Sequence, residues 1–309
     1  MISEKTLQKL KKMRAKNILI QIPEGLKTKA LDIITFLEKN GFNAAISCEP
    51  CFGACDLRDH EAKILGFDVL LHIGHTDFGI KTEIPTIYDE YLIDYNPEKI
   101  LKKNLGKLKK YKKIGLLTTI QFKNSISVAK KILERSGKTV YVSKNKKTGV
   151  EGQILGCDYS AAIGIEKYVD CFLFLGSGRF HPTGLLTKTK KSVLFLDFEN
   201  GRLENLSGEK SRIEKVRFAR IEKAKEYKRF GILVSTKRGQ MRIKTAQKIK
   251  KSLENRGKRA YILIMDQITP EKIMGMKLDA LINTACPRLS DDYKMFGKII
   301  LNPEDVSKL

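Results

Sequence analysis

The sequence predicts an α/β protein of three similar small domains, each a four-stranded, mainly parallel sheet with flanking helices. Three observations predict it. The segments "FLEKNGFNAAIS" (36–47), "ILERSGKTVYVS" (132–143) and "SLENRGKRAYIL" (252–263) match one another, each reading as a helix end, a glycine and a strand. Short apolar runs recur before and after each of them in the same order. Lys-rich polar stretches separate the three sets.

Each repeat opens with a first strand: "NILIQIPEG" (17–25), "KIGLLTTIQ" (113–121) and "FGILVSTKRGQ" (230–240) are apolar runs that end in polar or small residues, as buried strands feeding loops do. The helix that follows ends in Leu37-Glu38, Leu133-Glu134 or Leu253-Glu254. Three residues after each Glu comes Gly41, Gly137 or Gly257, the expected left-handed stop. A second strand begins there. Third strands follow in "DVLLHIG" (68–74), "DCFLFLGSG" (170–178) and "DALINTACP" (279–287), and fourth strands in "PTIYDE" (85–90), "VLFLDFE" (193–199) and "KIILNPE" (298–304). Domain boundaries are expected in the connectors "KKNLGKLKKYKK" and "KSRIEKVRFARIEKAKEYKR", giving domains 1–104, 105–214 and 215–309. Their charge runs read as solvated helix faces.

The 309 residues, 42% of them hydrophobic, suffice for ordinary cores. No apolar run is long enough to span a membrane, and the N-terminal stretch lacks the apolar core of a signal peptide, so a cytoplasmic protein is expected. Lys and Arg exceed Asp and Glu by 24, an excess that attracts polyanions or a large acidic partner. With no Trp, and no basic stretch interleaved with base-stacking aromatics, direct nucleic-acid binding is not expected. The absence of a G-x-G-x-x-G or P-loop pattern leaves nucleotide-binding readings without support.

Six cysteines are too few for a disulfide scaffold in so long a chain, and their uneven placement points to metal or redox chemistry. Cys48, Cys51 and Cys55 invite a local metal clip, but the repeats argue otherwise. Cys55 and Cys157 each lie 13 residues before the Asp that opens the third strand of their repeat, in the similar strings "GACDL" and "LGCDY". Cys286 follows the third strand of the last repeat. All three loops leave the carboxyl ends of strands, where parallel sheets bind ligands. Three thiolates without an evident fourth ligand make a poor structural zinc site, but suffice for a cubane iron-sulfur cluster with one iron open to a substrate. Cys171, at the start of a buried strand, reads as core. Cys48 and Cys51 are spare thiols, a separate zinc site or alternative ligands, with the spare reading favoured. His72 and His75 make a weak metal pair, and a core or loop role is preferred.

The strings "GACDL", "GQILGCD" and "NTACPRLSDD", together with "IPEGL" (22–26), "LLTTIQ" (116–121), "FHPTGL" (180–185) and "LVSTKRGQ" (233–240), resemble the archaeal radical enzymes that begin diphthamide biosynthesis, the 2-(3-amino-3-carboxypropyl)histidine synthases. The resemblance runs nearly end to end. It implies that Cys55, Cys157 and Cys286 hold a 4Fe-4S cluster among three domains, with S-adenosylmethionine on the open iron. It also implies radical transfer of the 3-amino-3-carboxypropyl group to the imidazole C2 of a histidine on elongation factor 2, by a homodimer served by an unidentified electron donor.

In that setting Arg288 is a candidate partner for the cofactor's carboxylate, with backbone N–H groups around Gly176 and Gly178 as further donors. Gln21, Thr119, Gln121 and Gln240 are candidate rim contacts at the ends of first strands, each equally readable as a strand-end polar residue. His181 is the candidate for orienting cofactor or target imidazole. The alternatives are an iron-sulfur dehydratase of the quinolinate synthase type and a basic RNA- or ribosome-associated binding protein.

Overall fold

A computed structural model describes residues 2–309. It contains three sheets. The first comprises β1 (Asn17–Gln21), β2 (Asn43–Ile46), β3 (Val69–Ile73) and β4 (Thr86–Asp89), paired in the order β2-β1-β3-β4. The second comprises β5 (Lys113–Thr118), β6 (Thr139–Tyr141), β7 (Cys171–Gly176), β8 (Ser192–Asp197) and β9 (Arg202–Asn205), in the order β6-β5-β7-β8-β9. The third comprises β10 (Arg229–Ser235), β11 (Arg259–Met265), β12 (Ala280–Asn283) and β13 (Ile299–Leu301), in the order β11-β10-β12-β13. Every pairing is parallel except β8 with β9. The mixed α/β fold and its thrice-used topology match the expectation; the antiparallel fifth strand of the second sheet does not appear in it.

The chain divides into two compact units, residues 1–206 with the first two sheets and residues 207–309 with the third. The strands read as near-continuous apolar runs because helices and loops cover both faces of a parallel sheet. Phe172, Phe174 and Phe195 fill the second sheet's interior and Phe230 the third's, all fully buried. The repeat glycines have φ of 85° at Gly41, 78° at Gly137 and 71° at Gly257, the left-handed stop that lets each helix turn back into the second strand.

The charge runs of the Lys-rich connectors are solvated as expected, but the connectors also contribute to the cores. In the first connector Leu108 and Tyr111 lie in the core of the second sheet, and in the second, helix Glu209–Lys225 places Ile221 and Ala224 in the core of the third. One narrow apolar stripe is enough to dock a helix whose remaining faces are charged. The expected boundary near 214 therefore falls inside a helix.

One interaction recurs in all three sheets. The aspartate just before the third strand accepts the backbone N–H groups at the start of the first. Asp68 takes those of Lys16 and Asn17, both at 2.8 Å; Asp170 those of Lys112 and Lys113, both at 2.8 Å; Asp279 those of Lys228 at 3.1 Å and Arg229 at 2.8 Å. The bonds to Asn17 and Lys113 lead the causes that hold the Asp68 and Asp170 carboxyls below their ordinary range. At Asp279 the Arg229 guanidinium, 2.9 Å away, is the leading cause, the backbone bonds add to it, and the pKa falls to about 2.

A carboxyl whose pKa falls on folding stabilises the fold above its unfolded pKa and loses that contribution as pH drops through the folded value. For Asp279 the window runs from 3.8 down to about 2. Asp279→Asn is expected to lower stability at neutral pH and to flatten the acid loss within that window, as read from urea unfolding at a series of pH values.

Candidate functional site

The loops that carry Cys55, Cys157 and Cys286 are each held by buried polar side chains. After β2, the chain runs through Cys48, which is exposed, and Cys51, which is buried, to Cys55, which is half-buried. The Gln21 amide, wholly buried at the end of β1, fixes the segment after Cys55: Nε2 donates to the Asp56 carbonyl at 2.6 Å, and Oε1 accepts from the Arg58 N–H at 3.3 Å. Asp59, also buried, accepts the Glu83 N–H at 2.7 Å. Gln21 is thus an internal strut, the strand-end polar role that stood beside the rim contact as its equal reading.

Cys157 stands on a tight turn. Leu155 N–H donates to the Asp158 carbonyl at 2.8 Å and Asp158 N–H to that of Leu155 at 3.2 Å, which leaves Gly156 and Cys157 at the tip. The strand leading in pairs with the end of β5, Ile154 N–H donating to Thr118 at 2.9 Å. Asp158 Oδ1 closes the far side by accepting from the Ser160 N–H at 2.8 Å, the Ser160 hydroxyl at 2.5 Å and the Asn145 amide at 3.1 Å.

The turn lies flat on helix Phe180–Leu186 through two glycines. A Cβ at Gly156 would meet the Phe180 ring at 2.4 Å, and one at Gly184 would meet the Tyr159 hydroxyl at 2.0 Å. "LGCDY" and "FHPTGL" are thus two halves of one contact. His181 follows Phe180 on this helix, with its ring nearly parallel to that of Phe174 at 6.2 Å and edge-on to Phe180 at 5.1 Å. Gly178 is exposed in the preceding turn with φ 72°, and Thr119 is half-buried as the residue before the 3-10 turn Ile120–Phe122.

Gln121 reaches from the second sheet to the first, donating to the Gly74 carbonyl at 3.2 Å, while the Gln153 amide donates to the Thr76 hydroxyl at 3.4 Å. Both bonds grip the loop after β3. At its root, His72 Nε2 lies 3.0 Å from His75 Nδ1. Burial holds His72 well below the ordinary histidine range, with His75 contributing, and lowers His75 to about 4. Both rings are therefore neutral at physiological pH.

In the second unit Cys286 is half-buried and precedes the 3-10 turn Pro287–Ser290. Asn283, buried at the end of β12, clamps the loop by accepting the Ala285 N–H at 2.9 Å and donating to the Cys286 carbonyl at 2.8 Å. Arg288 is exposed, and its charge is one of those that partly offset the rise that burial causes in the Asp291 carboxyl pKa. Gln240 is half-buried in the turn after β10, where its N–H donates to the Lys237 carbonyl at 2.8 Å. Cys171, in contrast, is wholly buried in the apolar core of the second sheet, and burial pushes its thiol up to about 12. It is a core residue.

Comparison with known proteins gives a consistent picture. Residues 22–308 match the family described as "Putative diphthamide synthesis protein". The 2-(3-amino-3-carboxypropyl)histidine synthase of Pyrococcus horikoshii is 37% identical over 98% of this chain and 88% of its own length. Subunit 1 of the Saccharomyces cerevisiae synthase is 29% identical over 99% of this chain and 73% of its own. The crystal structure of Dph2 from Pyrococcus horikoshii with a 4Fe-4S cluster superposes with a TM-score of 0.92 at 37% identity, over 98% of this chain and 88% of that one.

The glycine contact under Cys157 makes a direct prediction. Gly156→Ala forces either the Phe180 ring or the turn to move, and overpacking of this kind costs about 1–3 kcal/mol. Phe180→Leu in the same chain is expected to relieve most of that cost. A double-mutant cycle in urea unfolding reads the coupling, and additive effects would show that the two residues do not meet.

Proposed function

The chain belongs to the diphthamide synthesis protein family, and from that premise we propose that it transfers the 3-amino-3-carboxypropyl group of S-adenosylmethionine to the imidazole C2 of a histidine on elongation factor 2. This is a 2-(3-amino-3-carboxypropyl)histidine synthase, acting at the first step of diphthamide biosynthesis. The observation that carries the reading is one thiol outside the core on a rim loop of each repeat, at Cys55, Cys157 and Cys286, in a chain similar to a protein solved with a 4Fe-4S cluster. Family membership leaves the dehydratase and RNA-binding alternatives without support.

The donor set fits the group. Three cysteines stand on loops outside the apolar core, where their sulfurs can reach iron, whereas Cys171 is sealed in the core and burial pushes its thiol up to about 12. When bound, a 4Fe-4S cluster with three thiolate ligands supplies an open iron for S-adenosylmethionine and the electron that cleaves its S–Cγ bond.

The protein's own groups bind and orient. The Arg288 guanidinium, exposed two residues beyond Cys286, pairs with the donor's carboxylate. Backbone N–H groups at Gly178, with Thr119 and Gln240, contribute further polar contacts. His181, stacked on Phe174 and edge-on to Phe180, is held firmly enough to keep a target imidazole in one orientation. The protein acts as a homodimer that receives its electron from an external donor. Among the described residues no helix is long and apolar enough to cross a membrane.

Two outcomes are expected. Reduced, iron-loaded protein incubated with S-adenosylmethionine and elongation factor 2 yields 5′-methylthioadenosine and a modified histidine, read by nucleoside chromatography and peptide mass spectrometry. A main product of 5′-deoxyadenosine, or an unmodified factor despite turnover, would reject the chemistry. Alanine at Cys55, Cys157 or Cys286 sharply lowers cluster iron and abolishes the reduced paramagnetic signal, whereas Cys48→Ala leaves both intact. Full iron content in Cys157→Ala would rule out the ligand set.

A further inference from the structure

Cys51, His72 and His75 take no part in the proposed chemistry, yet the fold brings them together. One ligand atom from each lies within 4.8 Å of the other two. Cys51 and His72 are buried and His75 is half-buried. We propose that these three side chains form a second metal site, one that takes a zinc ion independently of the iron-sulfur cysteines.

The hydrogen-bond network fixes the chemistry of His72. Strand pairing sets Gln21 of β1 opposite His72 of β3, and the Gln21 Oε1 lies 3.0 Å from His72 Nδ1. Gln21 cannot be turned over, because its Nε2 donates to the Asp56 carbonyl and its Oε1 already accepts the Arg58 N–H. The reversed amide would set a donor against a donor and an acceptor against an acceptor. A carbonyl oxygen only accepts, so Nδ1 of His72 carries the ring proton and Nε2 keeps its lone pair. That lone pair points at His75 Nδ1, 3.0 Å away. A metal-binding histidine needs this arrangement: its other ring nitrogen donates to an outer partner that sets the tautomer and the ring plane.

The dimensions suit a small borderline ion. Zinc bound at about 2.3 Å to sulfur and about 2.0 Å to nitrogen places its ligand atoms roughly 3.3–3.6 Å apart in a tetrahedron. The two imidazole nitrogens are within a few tenths of an ångström of that spacing, and the sulfur needs only a modest inward shift. Binding displaces the proton between the rings, which moves to His75 Nε2, and releases the Cys51 thiol proton to solvent. A thiolate and two neutral imidazoles balance one of the ion's two charges and leave its fourth position for water. Gln121 and Gln153 hold the loop after β3 in place while this happens, through Gly74 and Thr76. The ion would join that loop to the segment between β2 and Cys55.

Full-length protein, purified anaerobically and loaded with iron and sulfide so that the cluster thiols are occupied, is titrated with cobalt(II) and separately analysed for zinc and iron by mass spectrometry. The expected result is one zinc or cobalt per chain, with a thiolate-to-cobalt charge-transfer band and intense tetrahedral d–d bands in the difference spectrum, reversed by added zinc. Cys51→Ala abolishes the charge-transfer band, and His75→Asn, at a less buried position, weakens binding; iron content and the far-ultraviolet spectrum stay unchanged in both. Wild-type protein that takes up neither ion, or uptake that persists with the same band in Cys51→Ala, would overturn the site.

Discussion

Each sheet depends on one grip, that of the aspartate before the third strand on the paired N–H groups that begin the first. In a parallel sheet nothing like a tight hairpin sets the register of neighbouring strands, because they are joined only through a long crossover. Asp68, Asp170 and Asp279 supply that missing reference point. A slip of one residue would turn every side chain to the opposite face. With the register fixed, Gln21 stands opposite His72, His72 opposite Tyr88, and the loops that carry the cysteines leave from the carboxyl ends of the strands.

Local physics made most of the fold legible. The Gly41, Gly137 and Gly257 stops follow from the need for positive φ at a helix end, and the strands from apolar runs that both faces of a parallel sheet demand. The core role of Cys171 followed from its place in such a run. Features that depend on pairing were harder to read. A polar Gln at the end of a strand looks the same whether it faces solvent or an internal histidine, and only the β1–β3 register distinguishes the two. The Lys-rich connectors hid their apolar stripes for a similar reason, since a few core residues are diluted by many charges. For β9 a signal was present: Asn200-Gly201, between an apolar run and "RLEN", is a strong local mark of a hairpin.

Each cysteine loop is held in place by ordinary parts. Gln21 and Asn283 tie down the loops around Cys55 and Cys286 with side-chain amides at strand ends, whereas the Cys157 loop relies on its own tight turn, on Asp158 and on two glycines against helix Phe180–Leu186. The sequence singles out Cys55 and Cys157 by their spacing from the repeat aspartates and Cys286 by its place after a third strand. It does not reveal their supports, because an amide acts through whichever backbone group the fold brings to it. His72 and His75, weak candidates as a pair, acquire Cys51 only once the strands are in register.

The hairpin of β8 and β9 has a consequence for solubility. A sheet edge with unpaired backbone groups recruits strands from other molecules, and in a polypeptide built from parallel sheets such edges are numerous. β9 covers the β8 edge and presents in its place a short strand bearing Arg202 and Glu204, with Arg179 paired to the glutamate. Charge and brevity make that border unattractive to a passing strand, so the middle sheet is protected against edge-to-edge aggregation on that side.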